Sequence, residues 1–181
     1  MPPHPGLHAL AAFARRRGAS WRTVQAGDAE RFGDFEIRIL HPPLPQWERQ
    51  RVRNDDSVVL ELRLGRVSVV LPGDIGREGE RALLPRLEPG RLVVLKAPHH
   101  GSATSSGREL IERLRPSAVI FSAGRANRFG HPHPDVVRRY REAGVEIFST
   151  AEDGAVLVDT DGESVEVWGW RGRGAIFTAT R

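Results

Sequence analysis

Cysteine is absent from the 181 residues, so neither disulfides nor thiolate metal sites are available, and nothing reports the redox compartment. Lysine is nearly absent: Lys96 stands alone, and almost all the positive charge is arginine. No apolar run is long enough to cross a bilayer, and the opening residues do not read as a charged-then-apolar leader. Internal repeats and low-complexity stretches are missing too. What is present is enough hydrophobic sequence, 39%, to bury one core, so a single globular domain is expected. The formal charge of +4 and the pI near 10.7 are mildly basic. An arginine bias follows from GC-rich coding as readily as from function. Arginine also suits bidentate phosphate contacts, which keeps an anionic polymer among the admissible partners.

Gly6 to Arg17 has helical periodicity, with Leu7, Leu10, Ala11, Phe13 and Ala14 as its apolar members. Trp21–Gln25 and Phe35–Leu40 read as strands, and His41–Arg53, with its prolines, as a loop. Ser57–Leu62 and Val67–Leu71 are strands joined by a tight turn at Leu64-Gly65-Arg66. From there helices and strands alternate: helix Arg77–Leu87, strand Leu92–Leu95, helix Arg108–Leu114, strand Ala118–Phe121, helix Pro134–Ala143, strand Val145–Phe148. Such alternation means βαβ crossovers and a sheet that is at least partly parallel, so the fold class is α/β. Ala155–Asp159 and Ser164–Trp168 flank Thr160-Asp161-Gly162 and predict a hairpin.

Parallel strands in right-handed βαβ units deliver their carboxyl ends to one edge of the sheet, where ligands bind. Asp74, His99, His100, Ser102, Asn127, His131 and His133 should therefore gather there. A hard carboxylate among neutral imidazoles suits zinc or manganese. Each piece also has a plainer reading. Asp74 can cap the helix after it, and His99-His100 can be a solvated turn. His131-Pro132-His133-Pro134 can be a rigid start to a helix, and Asn54-Asp55-Asp56-Ser57 a turn into a strand. None is specific alone.

Their order is specific. "NDDSVVLEL", "VSVVLPGDI", "VLKAPHHGSATSS", "GRANRFGHPHPDVVRRYREAG" and "STAEDGAVLV" together resemble the later half of the metallo-β-lactamase-fold domain in ComEC-type DNA-uptake proteins. The resemblance covers most of Asp34 to Val158 and is looser over the N-terminal helix. It implies part of an αβ/βα sandwich whose mixed sheet carries βαβ crossovers. It also implies a metal-dependent phosphodiesterase or nuclease serving DNA uptake in natural transformation, with DNA (single-stranded, or the strand that is not imported) as partner. Full-length relatives would be inner-membrane proteins, this chain a soluble fragment of one. In that superfamily two metal ions are held by a histidine-x-histidine-x-aspartate-histidine run, a further histidine, a bridging aspartate and a final histidine. By motif, Asp74 matches the bridging aspartate and His99 the final histidine, both metal ligands. His100 falls where a catalytic group would meet a scissile phosphate, with Ser102 beside it. Asn127 and His131 lie in the family's glycine-asparagine-histidine-proline loop and are expected to bind substrate. His41 and Asn54 both fall near the position of the middle histidine, and neither is assigned.

One departure sets the expectation for activity. The histidines are His4, His8, His41, His99, His100, His131 and His133, and none forms the histidine-x-histidine-x-aspartate-histidine run. The chain thus reads as one partial domain lacking its amino-terminal half: an N-terminal helix and strand over 1–33, a core over 34–169 and a flexible tail over 170–181. Asp74 and His99 are too few donors, since catalytic zinc keeps three protein ligands. Zinc or manganese is therefore expected to bind weakly or not at all. Activity would require the missing half; that half or a membrane channel domain is the expected protein partner, and the uncovered surface would favour self-association. Two other functions stay open: a non-catalytic DNA-binding remnant using Arg125, Arg128, Arg138 and Arg139, and an ester or lactone hydrolase of the same fold. The terminal Trp168-Gly-Trp170-Arg171-Gly172-Arg173 has the chemistry of a stacking platform, but a last strand with a frayed end is preferred.

Overall fold

The computed structural model describes residues 5–43, 53–88 and 90–179. Helix α1 spans Pro5–Arg16, and strands β1 (Ala29–Phe32), β2 (Phe35–His41), β3 (Val59–Leu64) and β4 (Val67–Leu71) follow. Then come α2 (Arg77–Leu83), β5 (Leu92–Lys96), α3 (Arg108–Leu114), β6 (Ala118–Phe121), α4 (Pro134–Glu142) and β7 (Glu146–Ser149). A short helix α5 (Thr150–Asp153) leads to β8 (Val156–Thr160), β9 (Ser164–Gly169) and β10 (Gly174–Thr178). Strands β1 to β7 form a seven-stranded sheet in chain order, and β10-β9-β8 a separate three-stranded one. The first four strands of the large sheet pair antiparallel and the last four parallel, so the expected mixed sheet with βαβ crossovers is present.

The order β4-β5-β6-β7 advances in one direction, so right-handed crossovers place α2, α3 and α4 on one face. There Leu83, Leu110, Ile111, Val136 and Tyr140 pack with Val70, Leu95, Val119 and Phe121 of the sheet. The other face is covered by the small sheet, where Val165 and Val167 meet Val67, Val94, Ala118 and Phe148. β5 supplies both layers: Val93 and Leu95 face the helices, Val94 the small sheet, as the two-residue period of a strand dictates. That is why Leu92–Leu95 reads as a continuous apolar run.

Three expectations need correction. Trp21–Gln25 is not a strand; Ala29–Phe32 is, and every residue of it is exposed. The pairing rests on main-chain bonds to β2, closed by a two-residue turn between Phe32 and Phe35, and leaves no apolar alternation to read. The segment expected to be a flexible tail carries β10, which pairs with β9 from Gly174↔Trp168 to Thr178↔Ser164 and buries part of Ala175 and Phe177 against the sheets. Helix Arg77–Leu87 ends at Leu83 and tightens into a 3₁₀ turn over Leu84–Arg86, because Pro85 cannot donate to the α ladder. Most of the loop expected over His41–Arg53 lies outside the described residues. Helix α1 buries Ala11 but leaves Leu7, Leu10 and Phe13 about half exposed. Among the described residues no helix is long and apolar enough to cross a membrane.

Candidate active site at the carboxyl edge of the sheet

β4 and β5 run parallel, Val70 opposite Leu95, so the residues that follow them emerge side by side. Beyond β4, Gly73 (φ 62°) turns the chain and Asp74 comes out at the edge, its N–H held by Ser57 Oγ at 3.1 Å. Beyond β5, His99 (φ 46°) and His100 (φ 54°) both adopt left-handed backbone. That conformation costs an L-residue with a Cβ about 1–2 kcal/mol. It persists because the His99 N–H is bound to Gly73 O at 3.1 Å and the His99 carbonyl receives Ser102 N–H at 2.9 Å. Gly101 (φ 82°) completes the turn. A Cβ there would stand 2.7 Å from the Phe121 ring and 2.8 Å from Pro132 Cβ, so only glycine fits. Glycine at 101 is thus a backbone requirement, whereas the two histidines hold their left-handed geometry at a cost.

The edge brings most of the expected residues together. His100 Nε2 lies 3.4 Å from Asp74 Oδ1, and its Nδ1 lies 2.6 Å from the carbonyl of Ser122, just beyond β6. His99 turns its Nε2 toward the side-chain amide of Asn54 at 3.3 Å, and its ring meets that of His131 edge-on, centroids 5.8 Å apart. Two successive left-handed residues swing both rings to the edge, where His100 lies against Asp74 and His99 meets Asn54 and His131. Lys96, the last residue of β5, places Nζ 3.7 Å from Asp74 Oδ1 and donates to Gly73 O at 3.2 Å. Burial lowers its pKa, and Asp74 opposes the shift.

The loop after β6 comes to the same edge. Asn127 Oδ1 accepts the His131 N–H at 2.9 Å, and its Nδ2 donates to the carbonyls of Gly124 (2.8 Å) and His131 (2.7 Å), so Asn127 braces the loop. The Nδ1 of His131 is buried with no hydrogen-bond partner among the described residues. Its pKa is lowered, first by desolvation and then by His99, His100 and His133, so the ring is neutral at neutral pH. His133 accepts from Asp135 N–H at 3.2 Å and caps α4, the plainer of its two readings. Ser102 is buried and bonds Thr104 Oγ1 at 3.1 Å. His41 is buried at the end of β2 with Nδ1 3.1 Å from Ser57 O, one residue layer behind Asp74.

Two contributors were not read from sequence. Asp55, not Asp74, satisfies the start of α2: its Oδ1 accepts from Gly76 N–H (2.8 Å) and Gly79 N–H (2.9 Å). Asp74 is thereby left free of capping. Nothing local marks Asp55, because its partners lie about twenty residues on. Glu80 is buried and accepts from the backbone of Ser106 and, at 2.8 Å, of Gly107, fixing the loop behind the histidines. Next to it a cleft of about 470 Å³ opens, lined by Arg77, Arg81, Arg108, Arg138 and Arg139 together with Glu80, Glu109 and Asp135, and reaching His133.

The donor chemistry can be tested for a cation. Two ligands of a tetrahedral ion with bonds of about 2.0–2.2 Å stand roughly 3.3–3.5 Å apart. Asp74 Oδ1 and His100 Nε2 are 3.4 Å apart and so fit as two donors. Among the described residues no group of three or more His, Asp or Glu side chains is arranged to hold a metal ion.

An α/β sheet with a carboxylate and several imidazoles at the carboxyl ends of its parallel strands defines a polar edge site of the kind that binds or transforms ligands. No protein-family model matches the chain. It is 33% identical over 143 residues to ComE operon protein 3 of Bacillus subtilis, covering 79% of this chain and 18% of that protein. It is 29% identical over 165 residues to Recombination protein 2 of Haemophilus influenzae, covering 91% and 20%. Against Competence protein ComA of Neisseria gonorrhoeae it is 33% identical over 126 residues, covering 68% and 17%. Its homologues therefore include competence proteins of the ComEC type, as the resemblance implied. The chain spans about a fifth of the length of these curated relatives.

Proposed function

We propose that this chain is the part of a metallo-β-lactamase-type domain that supplies one side of a divalent-cation site for phosphodiester hydrolysis, acting on DNA during its uptake. The observation that carries the reading is the meeting of His100 with Asp74. The Ser122 carbonyl can only accept, so His100 Nδ1 must carry the proton that bonds it. In the neutral ring Nε2 then presents a lone pair to Asp74 Oδ1 across 3.4 Å. At that distance the two atoms can share a proton or a cation, and Lys96 Nζ, 3.7 Å from Asp74 Oδ1, already places one positive charge beside them.

When bound, zinc or manganese would supply Lewis acidity toward a phosphoryl oxygen and lower the pKa of water. The chain's own residues do the rest. Asp74 and His100 face the charge, while His99, turned to Asn54, and neutral His131 line the same edge. Lys96 holds positive charge beside Asp74, and the cleft, with five arginines against Glu80, Glu109 and Asp135, keeps an excess of positive charge that favours a polyanion over a neutral ester or lactone. Two fitted donors leave a cation mostly hydrated, so the remaining donors must come from beyond these side chains.

The test compares the 181-residue chain with the same chain fused to a segment bearing the histidine-x-histidine-x-aspartate-histidine run. The isolated chain should hold substoichiometric manganese or zinc and cleave an oligonucleotide little. The fusion should cleave it in a metal-dependent way, and Asp74→Ala in the fusion should abolish cleavage. Rapid metal-dependent cleavage by the isolated monomeric chain, or a fusion indifferent to Asp74→Ala, would overturn the reading.

A further inference from the structure

Phe129 is two-thirds exposed (67%), yet it is not a loose loop tip. Asn127 braces the loop from both sides through its bonds to Gly124 and His131, and Gly130 N–H closes onto Asn127 O at 3.2 Å. The aromatic ring is therefore presented in a fixed place. It lies nearly parallel to the His131 ring, with centroids 5.8 Å apart and planes inclined by 19°. His131 in turn abuts His99, and the guanidinium of Arg128 lies over the Phe129 ring, 4.8 Å from its centroid. Guanidinium, phenyl and imidazole thus form a run of neighbouring flat groups that ends at the histidine cluster, with the phenyl ring still two-thirds open to solvent. An exposed phenyl ring forgoes burial that would stabilise the fold. One held this firmly beside a polar site points to a ligand with a flat face of its own.

We infer that Phe129 and Arg128 form a stacking shelf for one unpaired nucleobase, next to the phosphate held at the histidine cluster; the inference rests on the phosphodiester reading above. Every nucleobase has a π face, so the shelf selects for the presence of a base and tolerates its identity. Guanidinium and phenyl are both groups on which splayed bases stack. A base inside a duplex already has both faces covered by its neighbours, so the shelf favours a single strand. Arg125 is fixed nearby through Nε to the Ala151 carbonyl at 3.2 Å and adds positive charge on this side of the site.

The test measures binding of the full chain to a fluorescent single-stranded oligonucleotide and to an abasic deoxyribose-phosphate strand of equal length, for wild type, Phe129→Ala and Phe129→Trp. Wild type should bind the base-bearing strand about ten-fold more tightly than the abasic one, the size of one base–aromatic stack. Phe129→Ala should erase that difference while leaving the abasic affinity unchanged, which also reports that the variant is folded, and Phe129→Trp should keep the difference or widen it. If wild type binds both strands equally, or Phe129→Ala weakens both alike, the shelf is overturned and the phosphodiester reading stands. If neither strand binds, both are overturned.

Discussion

On the inner flank of the loop joining β5 to α3, Ser105 and Ser106 are fully buried and saturated with hydrogen bonds; on the outer flank two histidines sit in left-handed backbone with their rings half open to solvent. Glu80 grips the inner flank through the Ser106 and Gly107 amides, Tyr140 donates to Ser106 Oγ at 3.1 Å, and Arg139 donates to the Ser105 and Ser106 carbonyls. The outer flank has a few backbone bonds, single contacts from His99 to Asn54 and from His100 to the Ser122 carbonyl, and the tight seat of Gly101. The contrast shows how the strain at the histidines is maintained: the over-determined side holds the exposed side in a geometry it would not choose alone.

The comparison breaks most severely at Glu80. Glu80→Ala leaves two buried N–H groups without acceptors and should cost about 3 kcal/mol in urea unfolding. A loss under about 1 kcal/mol would mean that the inner flank is not the anchor. The same carboxylate should imprint a pH dependence. Burial, the largest influence, raises its pKa above the ordinary 4.5, against the opposing pull of the Gly107 and Ser106 amides and Arg77. The folded state therefore binds this proton more tightly than the unfolded chain. Its stabilising contribution is complete below the ordinary carboxylate range and is lost as pH rises through the raised value. Unfolding of wild type and Glu80→Gln, followed from pH 4 to pH 7, should show wild type losing stability with rising pH by more than the variant.

Gly101→Ala comes next. The added methyl would strain the left-handed backbone and press on Phe121 and Pro132, and it should destabilise by about 2–3 kcal/mol while displacing the histidine rings. Unfolding that matches wild type would show that the seat is looser than drawn. The smallest effect is expected at His100→Gly. Relief of a left-handed residue should offset the lost side-chain contacts, leaving stability unchanged or raised by up to about 1 kcal/mol. A clear destabilisation would mean that the ring at this position supports the fold.

Much of this was legible in advance because the helix layer and the sheet are each specified by local period. The alternation from Arg77 to Phe148 gave the parallel strands, and those strands carried Asp74, His99, His100 and His131 to one edge. Ala29–Phe32 escaped notice because an exposed edge strand is held by its backbone, which no side-chain pattern reports. Gly174–Thr178 alternates in burial but not in sequence, because apolar Ile176 faces solvent between the packed Ala175 and Phe177, so its pattern did not mark a strand. Within the site, spacing could assemble the residues but could not divide roles between adjacent histidines, since that depends on two backbone dihedral angles. The cap from Asp55 and the grip of Glu80 were beyond reach for a related reason: their partners lie 21 to 27 residues away along the chain and are joined only by the fold.

The most direct measurement of the edge as a cation site is a manganese titration of the 181-residue chain followed by NMR of the histidine ring signals. The account predicts that His99, His100 and His131 broaden first and together, while His8 and His41 persist, and that Asp74→Ala removes this selectivity. Broadening that begins at His8 or His41, or that is unchanged in Asp74→Ala, would contradict it.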